Sequence, residues 1–257
     1  MTDFEAKAKE AEDSYDFCDL AEEILDSESD KQDLAKSMYK KAIDIAEDFS
    51  DYISCAISIL NSGDKDWARD VYKLAVDKAA DSSDYQSCAE SIGDKYYFGD
   101  KDWARDVYKM AVDKAADSSD YQSCAESILI RDCLGDKDWA RDVYKMAVDR
   151  AEDSSDLQKC ARSIADNDHL GDKDWAREVF KLAVDKAEYS VHYQRCAESI
   201  ASEYFLNDKD WARDVYKMAV DMAAAEDPDE LEGIAESIAG EDSLGDKKWA
   251  KEVCKKK

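Results

Sequence analysis

The stretch GDKDWARDVYKMAVDKAADSSDYQSCAESI (Gly99–Ile128) decides the fold, because the chain repeats it. Nearly the same words begin at Gly63 and Gly135, and a more divergent copy begins at Gly171. Trp67, Trp103, Trp139, Trp175 and Trp211 stand 36 residues apart, Trp249 follows after 38, and Leu34 holds the same place 33 residues before Trp67. A fixed period in this range is the signature of stacked supersecondary units, each too small to bury its own apolar face.

Each copy carries two helical patterns. In the first, Trp103, Ala104, Val107, Tyr108, Ala111, Val112 and Ala115 fall on one broad face, while Arg105, Asp106, Lys109, Asp113 and Lys114 fall opposite. Asp100 stands where a side chain caps the first turn. In the second, Tyr121, Cys124, Ala125 and Ile128 fall at i, i+3, i+4 and i+7, and Ser118 or Ser119 is placed as the N-cap. The unit is thus a helical hairpin: a shorter helix A, then a longer helix B opening at Gly-Asp-Lys-Asp. Gly99, Gly135, Gly171 and Gly245 are expected to end the A helices, where glycine takes the left-handed conformation without steric cost.

The expected organisation is one continuous all-α domain over residues 1–257, of about fifteen helices and about seven hairpins. A leading half-repeat (1–13) precedes repeats at about 14–48, 49–81, 82–117, 118–153, 154–189, 190–227 and 228–257. Phe17, Tyr52, Tyr85, Tyr121, Leu157, Tyr193 and Leu231 hold one equivalent place in the seven A helices. The last B helix, KKWAKEVCKKK, is cut short, which is expected to leave Trp249 and Val253 with little cover.

Small Ala104, aromatic Tyr108 and Ala111 in helix B, with Tyr121, Cys124-Ala125 and Ile128 in helix A, resemble the tetratricopeptide repeat and its Sel-one-like relatives. Cys88, Cys124, Cys160 and Cys196 stand where that family has leucine, and Ala89, Ala125, Ala161 and Ala197 at its small position. The period of 36 departs from the usual 34, with extra residues between helices A and B, and only Pro228 answers to the proline that commonly follows helix B. The resemblance implies a right-handed α-solenoid with a concave face lined by A helices, and peptide or protein binding rather than catalysis. It places the groove at Gln86 and Glu90, Gln122 and Glu126, Gln158 and Arg162, Gln194 and Glu198, and Glu232 and Glu236, with Ile53 and Ile57 in the same places of the second unit. Amides and carboxylates there suit a basic or extended polar ligand, while the two isoleucines suit a local apolar pocket or a covered surface.

Composition narrows the partner. The net charge of −27 disfavours nucleic acid and anionic membranes and draws basic proteins, peptides or cations. It also fits a merely solvated acidic surface. The opening MTDFEAKAKEAED has neither a basic nor an apolar leader segment, and nothing approaches a membrane span of ~18 apolar residues, so a cytoplasmic protein is expected.

The eight cysteines include no C-x-x-C pair. Stacked repeats set equivalent atoms ~10 Å apart, beyond the ~7 Å between Cα atoms that a disulfide allows. Cys55, Cys88, Cys124, Cys160 and Cys196 are therefore expected to be small packing residues. Cys18, Cys133 and Cys254 lie off this ladder, and Cys133 and Cys254 are expected to be the exposed thiols. No phosphate loop or metallohydrolase motif occurs, and His169 and His192 have no nucleophile at recognisable spacing. No cofactor, metal site or enzymatic activity is expected.

The A-helix ends differ between copies: GDKYYF, LIRDCL, ADNDHL and ASEYFL. Such variation on one edge is where binding specificity could be written. Three readings follow: an interaction scaffold for a protein or basic peptide, a structural subunit that self-assembles through uncapped ends into an assembly or filament, and an acidic cation-binding protein.

Overall fold

A computed structural model describes residues 3–27 and 31–256. The outermost residues of the leading half-repeat and of the last repeat, with residues 28–30 of the first hairpin, lie outside the described residues. The described residues form fifteen α-helices and no strand. These are Asp3–Glu10 (α1), Ser14–Ser27 (α2), Gln32–Ile45 (α3), Phe49–Asn61 (α4), Lys65–Lys78 (α5), Ser82–Gly93 (α6), Lys101–Lys114 (α7), Ser118–Ile128 (α8), Lys137–Arg150 (α9), Ser154–Ala165 (α10), Lys173–Asp185 (α11), Ser190–Ala201 (α12), Lys209–Glu226 (α13), Leu231–Ala239 (α14) and Lys247–Val253 (α15). Pro228 opens a short 3-10 turn, Pro228–Glu230, ahead of α14.

The fold class is all-α, a solenoid-type succession of helical hairpins. Contacts gather the chain into two compact units, Met1–Ala115 with Ile130–Gly135, and Ala116–Leu129 with Asp136–Lys257. In the first unit α2 packs on α3, α4 on α5 and α6 on α7; in the second, α8 packs on α9, α10 on α11, α12 on α13 and α14 on α15. The A helices also lie side by side, α2 against α4 in the first unit, and α8, α10, α12 and α14 in succession in the second.

The buried faces are those the periodicity marks. Ala104, Tyr108 and Ala111 of α7 are wholly buried, as are Cys124, Ala125 and Ile128 of α8. The ladder thiols of Cys55, Cys88, Cys124, Cys160 and Cys196 are likewise closed off from solvent, and no disulfide joins cysteines among the described residues. Burial pushes the Cys88 thiol up to about 12 and the Cys196 thiol to about 11, so both stay protonated and act as small apolar groups. Off the ladder, the Cys18 sulfur meets that of Cys55 at 3.6 Å.

One contact explains why each copy keeps a tryptophan, an arginine and an aspartate. Asp172 caps α11 by accepting from the Trp175 N–H at 3.0 Å, and its other oxygen takes Arg141 of the preceding B helix at 2.5 Å. The same guanidinium lies over the Trp175 ring, 5.4 Å from its centroid. Arg177 with Asp208 and Trp211, and Arg213 with Asp246 and Trp249, repeat this clasp in the second unit. Arg69 with Asp100 and Trp103 forms it in the first, and Lys36 takes the place of arginine on Asp64. Each clasp joins a helix cap, an ion pair and a cation–π contact between consecutive B helices.

Four expectations are corrected. First, Asp81, Asp117 and Asp153, not the serines, cap α6, α8 and α10. The following serine is buried instead, and the Ser154 hydroxyl donates to the Ala183 carbonyl at 2.7 Å. Second, the glycines do not end the A helices. An irregular turn intervenes, and Gly99, Gly135, Gly171 and Gly245 stand just before the B-helix caps with φ of 63 to 69°. Asn207 takes the same conformation at φ 54°. The turn closes when the Gly99 N–H donates to the Asp94 carbonyl, as that of Gly171 does to Asp166.

Third, Cys133 is buried, in the first unit, where its thiol donates to the Ala89 carbonyl and faces the Tyr108 hydroxyl. Gly93 makes the room: a Cβ there would lie 2.1 Å from the Cys133 sulfur. Of the two thiols expected outside, only Cys254 is exposed. Fourth, Val253 is fully buried and Trp249 is half-buried beneath Arg213 and edge-on to Tyr216, so the short last helix does cover its apolar face.

Candidate functional site

The A-helix face of the second unit holds most of the residues placed on the groove. Equivalent positions on α8, α10 and α12 come into line because the helices repeat their packing. Gln122 donates to Glu126 at 2.9 Å and to Ser163 of α10 at 3.0 Å. Gln158 donates to the Arg195 carbonyl at 2.7 Å and to Ser199 of α12 at 3.0 Å. Gln194 donates to Glu198 at 3.1 Å and to Ser237 of α14 at 2.7 Å. Ser163 and Ser237 in turn donate to Glu126 and Glu198. The amides thus lace each A helix to the next, and Gln158 is buried. Glu232 and Glu236, on α14, are exposed.

The first unit is less open. Gln86 is buried and bonds Ser82, while Glu90, Ile53 and Ile57 are half-buried.

The second unit carries a cleft of about 650 Å³ bordered by α10, α12, α14 and the turns that follow the last two. Arg162 lines it, together with three residues that the motif reading passed over: Lys159, Arg195 and Phe205. The Arg162 guanidinium lies over the Phe205 ring, 5.0 Å from its centroid. Lys159 has Asp156 at 3.6 Å, while among the described residues neither Arg162 nor Arg195 makes an ion pair. Two carboxylates share the cleft, Glu198, held in the amide lacing, and Asp242.

A signal for this cluster lay in the sequence, in the differences between copies. Two residues past the conserved aromatic, Ser87 and Ser123 give way to Lys159 and Arg195; five past it, Glu90, Glu126, Glu198 and Glu236 have Arg162 as their counterpart. Two places before the left-handed residue of the turn, Tyr97, Cys133, His169 and Ser243 correspond to Phe205.

Other polar groups have local duties. His192 accepts from the Glu188 N–H at the start of α12 and packs on Tyr189. No group of three or more His, Cys, Asp or Glu residues is placed to hold a metal among the described residues. No helix of the described residues is long and apolar enough to cross a membrane.

The chain matches no protein-family profile and no curated protein. Among solved structures it is similar to the C-terminal part of a TPR repeat-containing protein from Cytophaga hutchinsonii, at 16% identity over 93% of both chains with a TM-score of 0.42. At that score the fold assignment rests on the chain's own helices.

Proposed function

We propose that the chain is a non-catalytic scaffold that binds protein or peptide segments along the A-helix face of its second unit. The observation that carries this reading is an open cleft whose lining changes from copy to copy while the interlocking residues of the repeat stay fixed. Constancy in the Trp–Arg–Asp clasps serves stacking, and variation at one edge serves recognition. The motif resemblance to tetratricopeptide repeats supports the same reading. The partner is basic overall, because a chain of net charge −27 concentrates cationic segments at its surface. Cysteines that form no disulfide among the described residues suit a reducing compartment such as the cytoplasm.

Selection of a random peptide library against the immobilised full chain tests this. The expected outcome is enrichment of Lys- and Arg-bearing peptides whose affinity falls as salt rises. Selection that yields no peptide above background would remove the scaffold reading.

A further inference from the structure

We propose that the cleft between α10, α12 and α14 is an oxyanion subsite, which takes a phosphorylated serine or threonine set within an otherwise basic segment. The inference rests on the scaffold reading and names what its cleft recognises.

The chain has 63 acidic side chains against 36 basic lysines and arginines, so a local cluster of cations stands out against the surface field. Lys159, Arg162 and Arg195 converge on one cleft, and the two arginines have no ionic partner among the described residues. All three are exposed, so an incoming group reaches them without rearrangement of the core.

Stacking does not demand these cations. The copies that carry Ser87, Ser123, Glu90 and Glu126 at the equivalent places form the same A helices. Three departures from the internal pattern meet in space, although Lys159 and Arg195 lie a full period apart in sequence. Phe205 supplies a fourth: its ring holds the Arg162 guanidinium from one face, which leaves the N–H edge for a planar or tetrahedral acceptor. Fixing the guanidinium beforehand lowers the entropy lost when an oxyanion binds.

The rest of the surface decides what carries the oxyanion. A uniformly acidic ligand meets the long-range repulsion of the −27 chain. A basic segment with a single oxyanion satisfies both fields: its cations are drawn to the acidic surface, and its anion reaches a cleft where two arginines have no carboxylate partner among the described residues. A phosphomonoester suits the cleft better than a carboxylate, since it brings nearly two charges and three acceptor oxygens to two guanidinium groups and one ammonium. Glu198 and Asp242 oppose it, but Glu198 is already engaged by Gln194 and Ser237.

The test titrates the full chain with a short Arg/Ala peptide bearing one central serine, its phosphoserine form, and a form with glutamate at that place. The expected result is that the phosphopeptide binds about tenfold or more tightly than the serine peptide, the worth of one or two charge-assisted hydrogen bonds. The Lys159→Ser/Arg162→Glu/Arg195→Ser variant, built from residues the other copies carry, should lose that preference and keep its affinity for the serine peptide. Circular dichroism melting checks its fold, and Arg195→Gln serves as the milder variant if it melts early. A glutamate peptide that matches the phosphopeptide supports the oxyanion subsite with a carboxylate as its source. Equal binding of all three peptides overturns the subsite and leaves the scaffold reading standing, whereas no binding by any of them overturns both.

Discussion

At the scale of the residue, Gly93 and Cys133 show how a near-perfect repeat absorbs an exception. In the other turns the place of Cys133 is taken by residues as different as Tyr97 and Phe205, and the place of Gly93 by Leu129, Ala165, Ala201 and Ala239. The thiol enters the core only because glycine leaves space, with the Ala104 Cβ also within 3.1 Å of where a new Cβ would sit. Gly93→Ala should therefore destabilise the protein by about 1–2 kcal/mol, overpacking offset in part by better helix propensity. Gly93→Ala with Cys133→Ala should cost less than the two single changes combined, as urea denaturation of the four proteins would reveal. Strictly additive losses would mean that the two residues do not share that space.

At the scale of the element, stacking within each unit is governed by the clasp that one B helix extends to the cap of the next. The Trp175 N–H and then the Arg141 guanidinium hold the Asp172 carboxyl below the usual carboxylate range. A lowered folded-state value stabilises the fold above the ordinary aspartate pKa of about 3.9, and that stability is lost as pH falls through the lowered value. Arg141→Ala should cost about 1 kcal/mol near neutrality, since the pair is partly exposed and the stacking on Trp175 goes with it. The gap between variant and parent should begin to narrow below about pH 4 and close as pH falls through the lowered Asp172 value, where protonation removes from the parent the ion pair that the variant lacks at every pH. Melting curves at fixed salt from neutral to acid pH would measure this; a gap that does not change with pH would show that only the stacking matters.

The helices and their buried faces were legible because alanine, tyrosine and cysteine recur at helical spacing in copy after copy. The caps were not, because Asp117 and Ser118 are both good cap residues; burial of the serine decides between them. The glycines were visible but misplaced, since spacing alone cannot separate a helix end from a left-handed residue at the far end of a turn. Arg162 was placed on the groove by the family pattern, but Lys159, Arg195 and Phe205 escaped. A motif records what copies share, and these residues matter where copies differ.

At the scale of the molecule, stability is a sum of neighbour interactions within each unit, because the hairpin helices touch chiefly their own partner and the adjoining hairpin. Removal of residues 173–208 would join Asp172 directly to Lys209 and restore the local sequence Asp-Lys-Asp-Trp. Arg141 would still meet Asp172, and Arg213 would still meet Asp246. The shortened chain should fold cooperatively with a lower melting temperature in calorimetry, and loss of the cooperative transition would show that the repeats are not interchangeable. The clasp thus makes whole repeats interchangeable: a gain or loss of one period by unequal recombination re-forms the same arginine–aspartate–tryptophan contact, so the array can lengthen or shrink without inventing a new interface.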